Sequence, residues 1–139
     1  MKRLILTLAI VLGLAGMVRA QTSEVMPDPA IEGVIRNQIE AFQADDFETA
    51  FTYASPMIRG IFGSADRFGA MVQQGYPMVH RPRDLKFLEL RSINGQVWQK
   101  VLVRDASGAF HALDYQMIPT ESGWQINGVQ LLKAPQLGA

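Results

Sequence analysis

The segment GYPMVHRPRD, residues 75–84, holds the densest group of reactive side chains in the sequence. It contains His80, one of only two histidines, next to Arg81 and close to Arg83. An imidazole beside a guanidinium can bind a carboxylate or another anion, because the guanidinium donates two parallel hydrogen bonds. We therefore interpret His80 and Arg81 as candidate ligand-binding residues at the rim of the fold.

A second group of reactive side chains lies in HALDYQ, where His111, Asp114 and Tyr115 follow one another closely. Imidazole, carboxylate and phenol are the groups that general acid–base catalysis employs. Because side chains alternate along a strand, His111 and Tyr115 share one face at a separation of roughly 13 Å, too long for a hydrogen bond. We therefore assign no catalytic residue and interpret His111 and Tyr115, together with Trp124, as candidate ligand-binding residues.

The same alternation predicts that Asp114 points away from the core, unless a bulge precedes it on its strand. A row of Glu89, Lys100 and Asp114 then crosses three strands, and pairing between neighbouring charges accounts for it. Asp45 and Asp46 are adjacent carboxylates, but one of them is expected to cap the helix that follows. Neither group of charges requires an enzymatic interpretation.

Metal and cofactor sites receive no support from the sequence. There is no cysteine, and the two histidines fall on different elements without the close spacing of zinc or non-haem iron ligands. No glycine-rich nucleotide motif and no G-x-S-x-G motif occurs. We predict neither a metal nor an organic cofactor.

Residues 1–20 have the organisation of an export signal. Two basic residues precede an apolar run at 4–18, which is shorter than the ~18–20 residues of a membrane span. Val18 and Ala20 stand at positions minus three and minus one of a signal-peptidase site. We expect cleavage after Ala20 and a periplasmic or secreted protein without a membrane span.

The full chain carries 13 basic and 13 acidic residues, and the segment 1–20 contains three of the basic ones. The mature protein is then net acidic, whereas nucleic-acid-binding domains present a basic face, so we expect no nucleic-acid partner. A chain of this length forms one domain. We place it at residues 28–133, between a linker at 21–27 and a C-terminal tail at 134–139.

The first half of the domain has the apolar period of helices. Three side-chain caps divide it into three predicted helices. Asp28 caps a helix that ends near Ala44, and Asp45 or Asp46 caps a second one that ends at Ser55-Pro56. Ser64 caps a third helix, which ends at Gly75. Two prolines in segment 75–84 disfavour a helix there and indicate the crossover into the sheet.

The second half has the alternating period of strands, and its turns set the pairing. Asn94-Gly95 predicts a two-residue hairpin, and glycine-containing turns near residues 106–108 and 120–123 complete a four-stranded antiparallel meander. The predicted partners are Leu88 with Val101, Glu89 with Lys100, Leu90 with Gln99, Val101 with Leu113, and Val103 with His111.

These pairings divide the sheet into a core face and an outer face. The core face collects Leu88, Leu90, Val97, Val101, Val103, Leu113, Tyr115 and Met117. The outer face mixes the charged row with Phe87, Trp98, Leu102 and Phe110. A half-apolar outer face favours a homodimer through the sheet.

Three helices followed by four antiparallel strands predict an α+β fold in which N-terminal helices pack on a curved meander sheet. The markers AFQADDFETAFTYASP, YPMVHRP and GWQINGV, within a stretch that covers the mature chain, resemble a family of exported bacterial proteins known as a domain of unknown function. The order and length of the elements resemble the cone-shaped fold shared by nuclear transport factor two, the SnoaL-like cyclases and ketosteroid isomerase, and the family is identified as a member of that superfamily. The resemblance implies a cone-shaped fold and carries no catalytic residue over.

Two functions follow as hypotheses. The first is a non-catalytic domain that binds a small apolar or amphipathic ligand in the cone, or a protein partner. The second is an isomerase-, cyclase- or hydratase-like enzyme, which requires acid–base groups that converge on an open cavity. The aromatic residues of the helices and the sheet either line such a cavity or fill it.

Overall fold

A computed structural model describes residues 21–133. The predicted export signal at 1–20 and the tail at 134–139 lie outside the described residues. The elements, in chain order, are β1 (Thr22–Val25), α1 (Pro29–Gln43), α2 (Phe47–Thr52), α3 (Pro56–Phe62), α4 (Ala65–Gly75), α5 (Pro77–His80), β2 (Asp84–Ile93), β3 (Gln96–Arg104), β4 (Phe110–Thr120) and β5 (Gly123–Leu131).

The predicted order of helices followed by an antiparallel meander is confirmed, but the predicted count of four strands is wrong. The sheet has five strands in the order β1-β2-β3-β4-β5. The additional strand, β1, lies within the segment that we interpreted as a linker, and it pairs with β2 from Thr22 opposite Ile93 to Val25 opposite Leu90. All four of its residues are exposed, so no apolar alternation marks the strand in the sequence.

The hairpin turns form as their sequences predict. Asn94 and Gly95 both have positive φ, at 52° and 80°, as a two-residue turn of this kind requires. Ile93 therefore lies opposite Gln96. Gly108 also has positive φ and closes the next turn, which places His111 opposite Val103 as predicted.

A bulge in β2 changes the face to which the first half of that strand belongs. The register shifts between Phe87 and Leu90, so that Phe87, and not Leu88, lies opposite Val101. Phe87 therefore packs against the core, which corrects its predicted outer position and the predicted core position of Leu88. The amide of Gln99, fully buried, donates to the Leu88 carbonyl at 3.0 Å and stabilises the bulge.

The helices begin at the predicted caps. The side chains of Asp28, Asp46, Ser55 and Ser64 each accept a hydrogen bond from a backbone N–H of the first turn. The prediction that segment 75–84 contains no helix is wrong, because Pro77 begins the one-turn helix α5. Proline is compatible with the first helical position, since the N–H that it lacks has no partner there.

The core lies between the helices and one face of the sheet. The helices supply Ile31, Ile35, Ile39, Phe42, Phe68 and Val72, and the strands supply Leu90, Val101, Val103, Leu113, Tyr115 and Met117. A parallel bridge between Ala54 and Ile126 joins the start of α3 to the edge strand β5. Ser55, which is fully buried, donates to the Asn127 side chain beside this bridge and anchors the helical layer.

Candidate functional site

An apolar cavity of about 260 Å³ lies between the helices and the core face of the sheet. Helices α1, α3 and α4 form one wall, and strands β4 and β5 form the other. Its lining consists of Gln38, Phe42, Ala54, Ile58, Phe62, Phe68, Met71, Val72, Tyr76, Val79, Tyr115, Ile126, Gly128 and Val129. No Asp, Glu, His, Lys or Arg stands among these lining residues, so the cavity favours uncharged groups.

The aromatic wall of the cavity is centred on Phe68. Its ring centroid lies 5.8 Å from that of Phe42, 5.3 Å from that of Phe51 and 5.7 Å from that of Phe62. Aromatic rings at these separations pack favourably on one another. The contacts hold α1, α2, α3 and α4 around the cavity.

Among the described lining residues, Tyr115 is a tyrosine whose hydroxyl is fully buried. It lies on β4, opposite Gln99 on one side and Val129 on the other. Its side chain is inaccessible to solvent, and its hydroxyl has no hydrogen-bond partner within residues 21–133. Burial, with a smaller contribution from Tyr76, raises the pKa of the Tyr115 phenol, which is therefore neutral at physiological pH.

The two other polar side chains of the cavity have protein partners. The Tyr76 hydroxyl donates to the backbone carbonyl of Val129 at 3.3 Å. The amide of Gln38 donates to the carbonyl of Ala50 at 3.2 Å. Both polar side chains are therefore held in place by the protein itself.

A separate groove of about 430 Å³, here called the histidine groove, contains three of the predicted ligand-binding residues. His80 at the end of α5 and Arg81 directly after it line this groove, together with His111 of β4. Asp45 binds both His80 and Arg81: its oxygens lie 2.7 Å from His80 Nε2 and 2.8 Å from Arg81 Nη2. The His80 ring also packs on Phe47, with the ring centroids 5.9 Å apart.

His111 is fixed in the histidine groove by Asp105, which lies at the end of β3. The distance from His111 Nε2 to Asp105 Oδ2 is 2.7 Å. The other oxygen of Asp105 accepts from the Ser107 hydroxyl and from two backbone N–H groups. Because Ser107 donates to the carboxylate and not to the imidazole, these three residues do not form a nucleophilic triad.

The five candidate residues therefore occupy three places. Tyr115 lines the cavity, whereas His80, Arg81 and His111 meet in the histidine groove. Trp124 lies opposite Pro119 on β5 and packs against the core without lining either space.

Asp114 faces the outer side of the sheet, as predicted, but its partner differs from the predicted one. It lies opposite Lys100 in the register, yet it binds Arg91 through two hydrogen bonds of 2.8 and 2.7 Å. Lys100 pairs with Glu89 instead, at 3.2 Å. The bulge in β2 lies next to Arg91. The alternation of side chains along the strand does not reveal this bulge, so the partner of Asp114 was predicted wrongly.

Sequence reasoning missed the roles of Asp45 and Asp105. Asp45 has positive φ, at 54°, and leaves the capping of α2 to its neighbour Asp46. Its carboxylate therefore does not cap α2 and instead binds His80 and Arg81 at the end of α5. The adjacent pair of aspartates is the only sequence signal of this division of roles.

Acid is expected to destabilise the histidine groove. The hydrogen bond with His80 lowers the pKa of Asp45, and hydrogen bonds with Ser107 and His111 lower the pKa of Asp105. A lowered carboxylate pKa stabilises the folded state above the unfolded pKa of about 3.9, and this contribution is lost as the pH falls through the folded pKa. In urea denaturation, the midpoint concentration should fall as the pH is lowered from 7 to 3. In Asp105→Asn this fall should be smaller.

The matched control for this measurement is Glu121→Gln, an exposed carboxylate in the turn before β5. It should leave the steepness of the pH dependence unchanged. If the urea midpoint depended on pH equally steeply in Asp105→Asn and in the wild type, the role assigned to Asp105 would be contradicted.

Comparison with known proteins adds one match. A family model described as "Domain of unknown function (DUF4864)" matches residues 25–139. No curated protein and no solved structure matches the chain. Within the described part of the chain, no helix has the length and apolar character to cross a membrane, and no three His, Asp or Glu side chains are grouped to hold a metal ion.

Proposed function

We propose that this chain, which belongs to the DUF4864 family of domains of unknown function, binds a small, mainly apolar molecule in the cavity without transforming it. The observation that carries the proposal is the cavity itself. It measures about 260 Å³, and no Asp, Glu, His, Lys or Arg stands among its described lining residues. Ligand sites are concave and mainly apolar, with a few polar groups that orient the ligand.

The positions of the acid–base groups support binding over catalysis. An isomerase, cyclase or hydratase needs a base and an acid within reach of one bound substrate. His111 lies in the histidine groove, and Asp114 is paired with Arg91 on the outer face. Tyr115 thus has no carboxylate or imidazole beside it in the cavity lining.

The cellular location and the superfamily belong to the same proposal. The charged start, apolar run and small residues of segment 1–20 support export and cleavage after Ala20. Helices packed on one face of an antiparallel sheet, with an apolar cavity between the layers, support the cone-shaped type of fold. An exported binding domain would take up its ligand in the periplasm or outside the cell.

The outer face of the sheet remains our proposed contact between two copies of the chain. Trp98 and Leu102 are half-buried there, and Phe110 is exposed. Sedimentation velocity of the purified protein tests this prediction, since a monomer at all concentrations would contradict it.

Val129→Phe is expected to weaken the binding of naphthalene, a neutral two-ring probe, by at least tenfold. Val129 is only half-buried and lines the cavity. A phenyl ring at this position occupies space that the ligand needs, while the backbone carbonyl still accepts from Tyr76. Fluorescence titration of the purified protein with naphthalene measures the change.

Leu102→Phe is the matched control, because it adds a similar volume on the outer face of β3 and away from the cavity. It should bind naphthalene as the wild type does. If the wild type does not bind the probe, or if the two variants weaken binding equally, the proposed function is wrong.

A further inference from the structure

The side chain of Gln38 points to the chemical class of the cavity's ligand, an inference that rests on the proposed function. We infer that the ligand is a neutral molecule of about two fused rings whose hydroxyl group donates a hydrogen bond to Gln38 Oε1. Three observations lead to this class: the place of Gln38 on α1, the bonding of its amide, and the size and charge of the cavity.

Gln38 is a polar residue within the apolar stripe of α1. Ile31, Ile35 and Phe42 of this stripe are buried in the core, and Gln38, at 3% exposed, is buried with them. A helix stripe that packs on a core is normally apolar, so a buried polar residue within it is the informative exception. Because Gln38 also lines the cavity, the exception lies where a bound molecule would contact α1.

The protein accounts for only one half of the Gln38 amide. Its Nε2 donates to the carbonyl of Ala50 at 3.2 Å, and this bond fixes which end of the amide is nitrogen, since a carbonyl can only accept. The Ala50 carbonyl already accepts from the backbone N–H of Tyr53, so it does not require the glutamine. Gln38 Oε1 accepts no hydrogen bond within residues 21–133.

Gln38 differs in this respect from two other buried glutamines, Gln99 and Gln125. The Oε1 atoms of Gln99 and Gln125 are sealed inside the protein without a partner. Gln38 Oε1 is not sealed in this way, and of these three residues it is Gln38 that lines the cavity. Its oxygen therefore opens toward the cavity, where it is an acceptor available to a donor group of the ligand.

The size and charge of the cavity determine the rest of the ligand. A cavity of about 150 Å³ holds one benzene molecule, and this one, at about 260 Å³, suits a fused bicyclic molecule. An ammonium group and a hydroxyl group are the alternative donors. The ammonium would lose its hydration without gaining an opposite charge, since no Asp or Glu stands among the described lining residues. A hydroxyl group donates to Gln38 without carrying a charge.

The experiment compares 2-naphthol with 2-fluoronaphthalene in calorimetric titrations of the wild type and of Gln38→Met. The probes share one ring system, but in the second a fluorine replaces the hydroxyl donor. The wild type should bind 2-naphthol about fivefold more tightly, as expected for one net hydrogen bond. Gln38→Met keeps the length of the side chain and removes the acceptor, so it should abolish this preference. Loss of the bond to Ala50 affects both probes alike, so the ratio of their affinities is the quantity to compare.

Gln125→Met is the matched control. Gln125 is also buried, and its amide also donates to a backbone carbonyl of α2, that of Thr52 at 3.4 Å. It does not belong to the cavity lining. This variant should therefore retain the wild-type preference for 2-naphthol.

A second measurement needs no substitution in the cavity. The NMR signals of the Gln38 side-chain amide should shift as 2-naphthol saturates the wild type, and they should shift much less with 2-fluoronaphthalene. Equal shifts with the two probes would contradict a hydrogen bond between the ligand hydroxyl and Gln38.

The outcomes separate the two proposals. If neither neutral probe binds the wild type, both the proposed function and the ligand class are wrong. If both probes bind but the wild type shows no preference, or if Gln38→Met keeps the preference, the cavity is a binding site and the inferred ligand class is wrong. Tighter binding of the charged 2-naphthoate than of 2-naphthol would also overturn the class.

Discussion

Arg91→Met is expected to lower the free energy of unfolding by about 3–5 kcal/mol, the usual cost of leaving one partner of a buried ion pair alone. The side chains of Arg91 and Asp114 are 14% and 8% exposed. Two parallel hydrogen bonds of 2.8 and 2.7 Å join the guanidinium to the carboxylate. The variant therefore leaves the Asp114 carboxyl group buried with neither bond. Urea denaturation at pH 7 measures the loss.

The double variant Arg91→Met/Asp114→Leu should recover most of the stability, because it removes both charges from the buried site. Lys100→Met is the control on the same face: its pair with Glu89 is more exposed, and its loss should cost less than about 1 kcal/mol. If Arg91→Met and Lys100→Met lowered the free energy of unfolding equally, the larger contribution assigned to the Arg91–Asp114 pair would be contradicted.

Gly69→Ala is expected to lower the free energy of unfolding by about 1–3 kcal/mol. In most helices the same substitution is stabilising, by about 1 kcal/mol. Gly69 lies on α4 against Phe47, and a Cβ atom at this position would lie 2.6 Å from Phe47 Cγ. That atom is at the base of the ring, so the whole side chain must move. The His80 ring, which packs on Phe47, would lose its support.

Gly33→Ala, on α1, is the matched control, because the Cβ that it would add has, apart from its chain neighbours and the α1 backbone, no atom of the described residues within 4 Å. It should stabilise the protein by about 0.5–1 kcal/mol. Thermal or chemical denaturation of both variants measures the difference, and a stabilising Gly69→Ala would contradict the packing described here.

Much of the fold could be predicted because local chemistry determines it. Asp28, Ser55 and Ser64 cap helices at the positions where their side chains meet a following run of helix formers. Asn94-Gly95 adopts the positive φ angles that specify a two-residue hairpin, and this turn sets the pairing of β2 with β3 up to Leu90. Each of these features depends on residues close together in the chain.

The features that prediction missed depend on contacts between distant residues. The bulge at Leu88 is held by the buried amide of Gln99 on the next strand. Strand β1 is preceded by Gln21, whose backbone N–H donates to the side chain of Asn94, 73 positions away. Neither contact leaves a periodic pattern in the sequence.

The candidate residues were identified by type, but their separation into two sites could not be predicted. Strand alternation correctly placed His111 and Tyr115 on one face and too far apart to bond. The position of α5 then decides that His80 and Arg81 lie near His111 and not near Tyr115. That position depends on the packing of helices, which alternation does not describe.

The most direct test of the central claim is the methyl NMR spectrum of methionine-labelled protein during a titration with naphthalene. Met71 lines the cavity, whereas Met26 and Met57 are exposed, at 83% and 54%. A ligand in the cavity should shift the Met71 methyl signal saturably and leave the Met26 and Met57 signals in place. Shifts confined to Met26 or Met57, or an unchanged Met71 signal, would contradict the assignment of the cavity as the binding site.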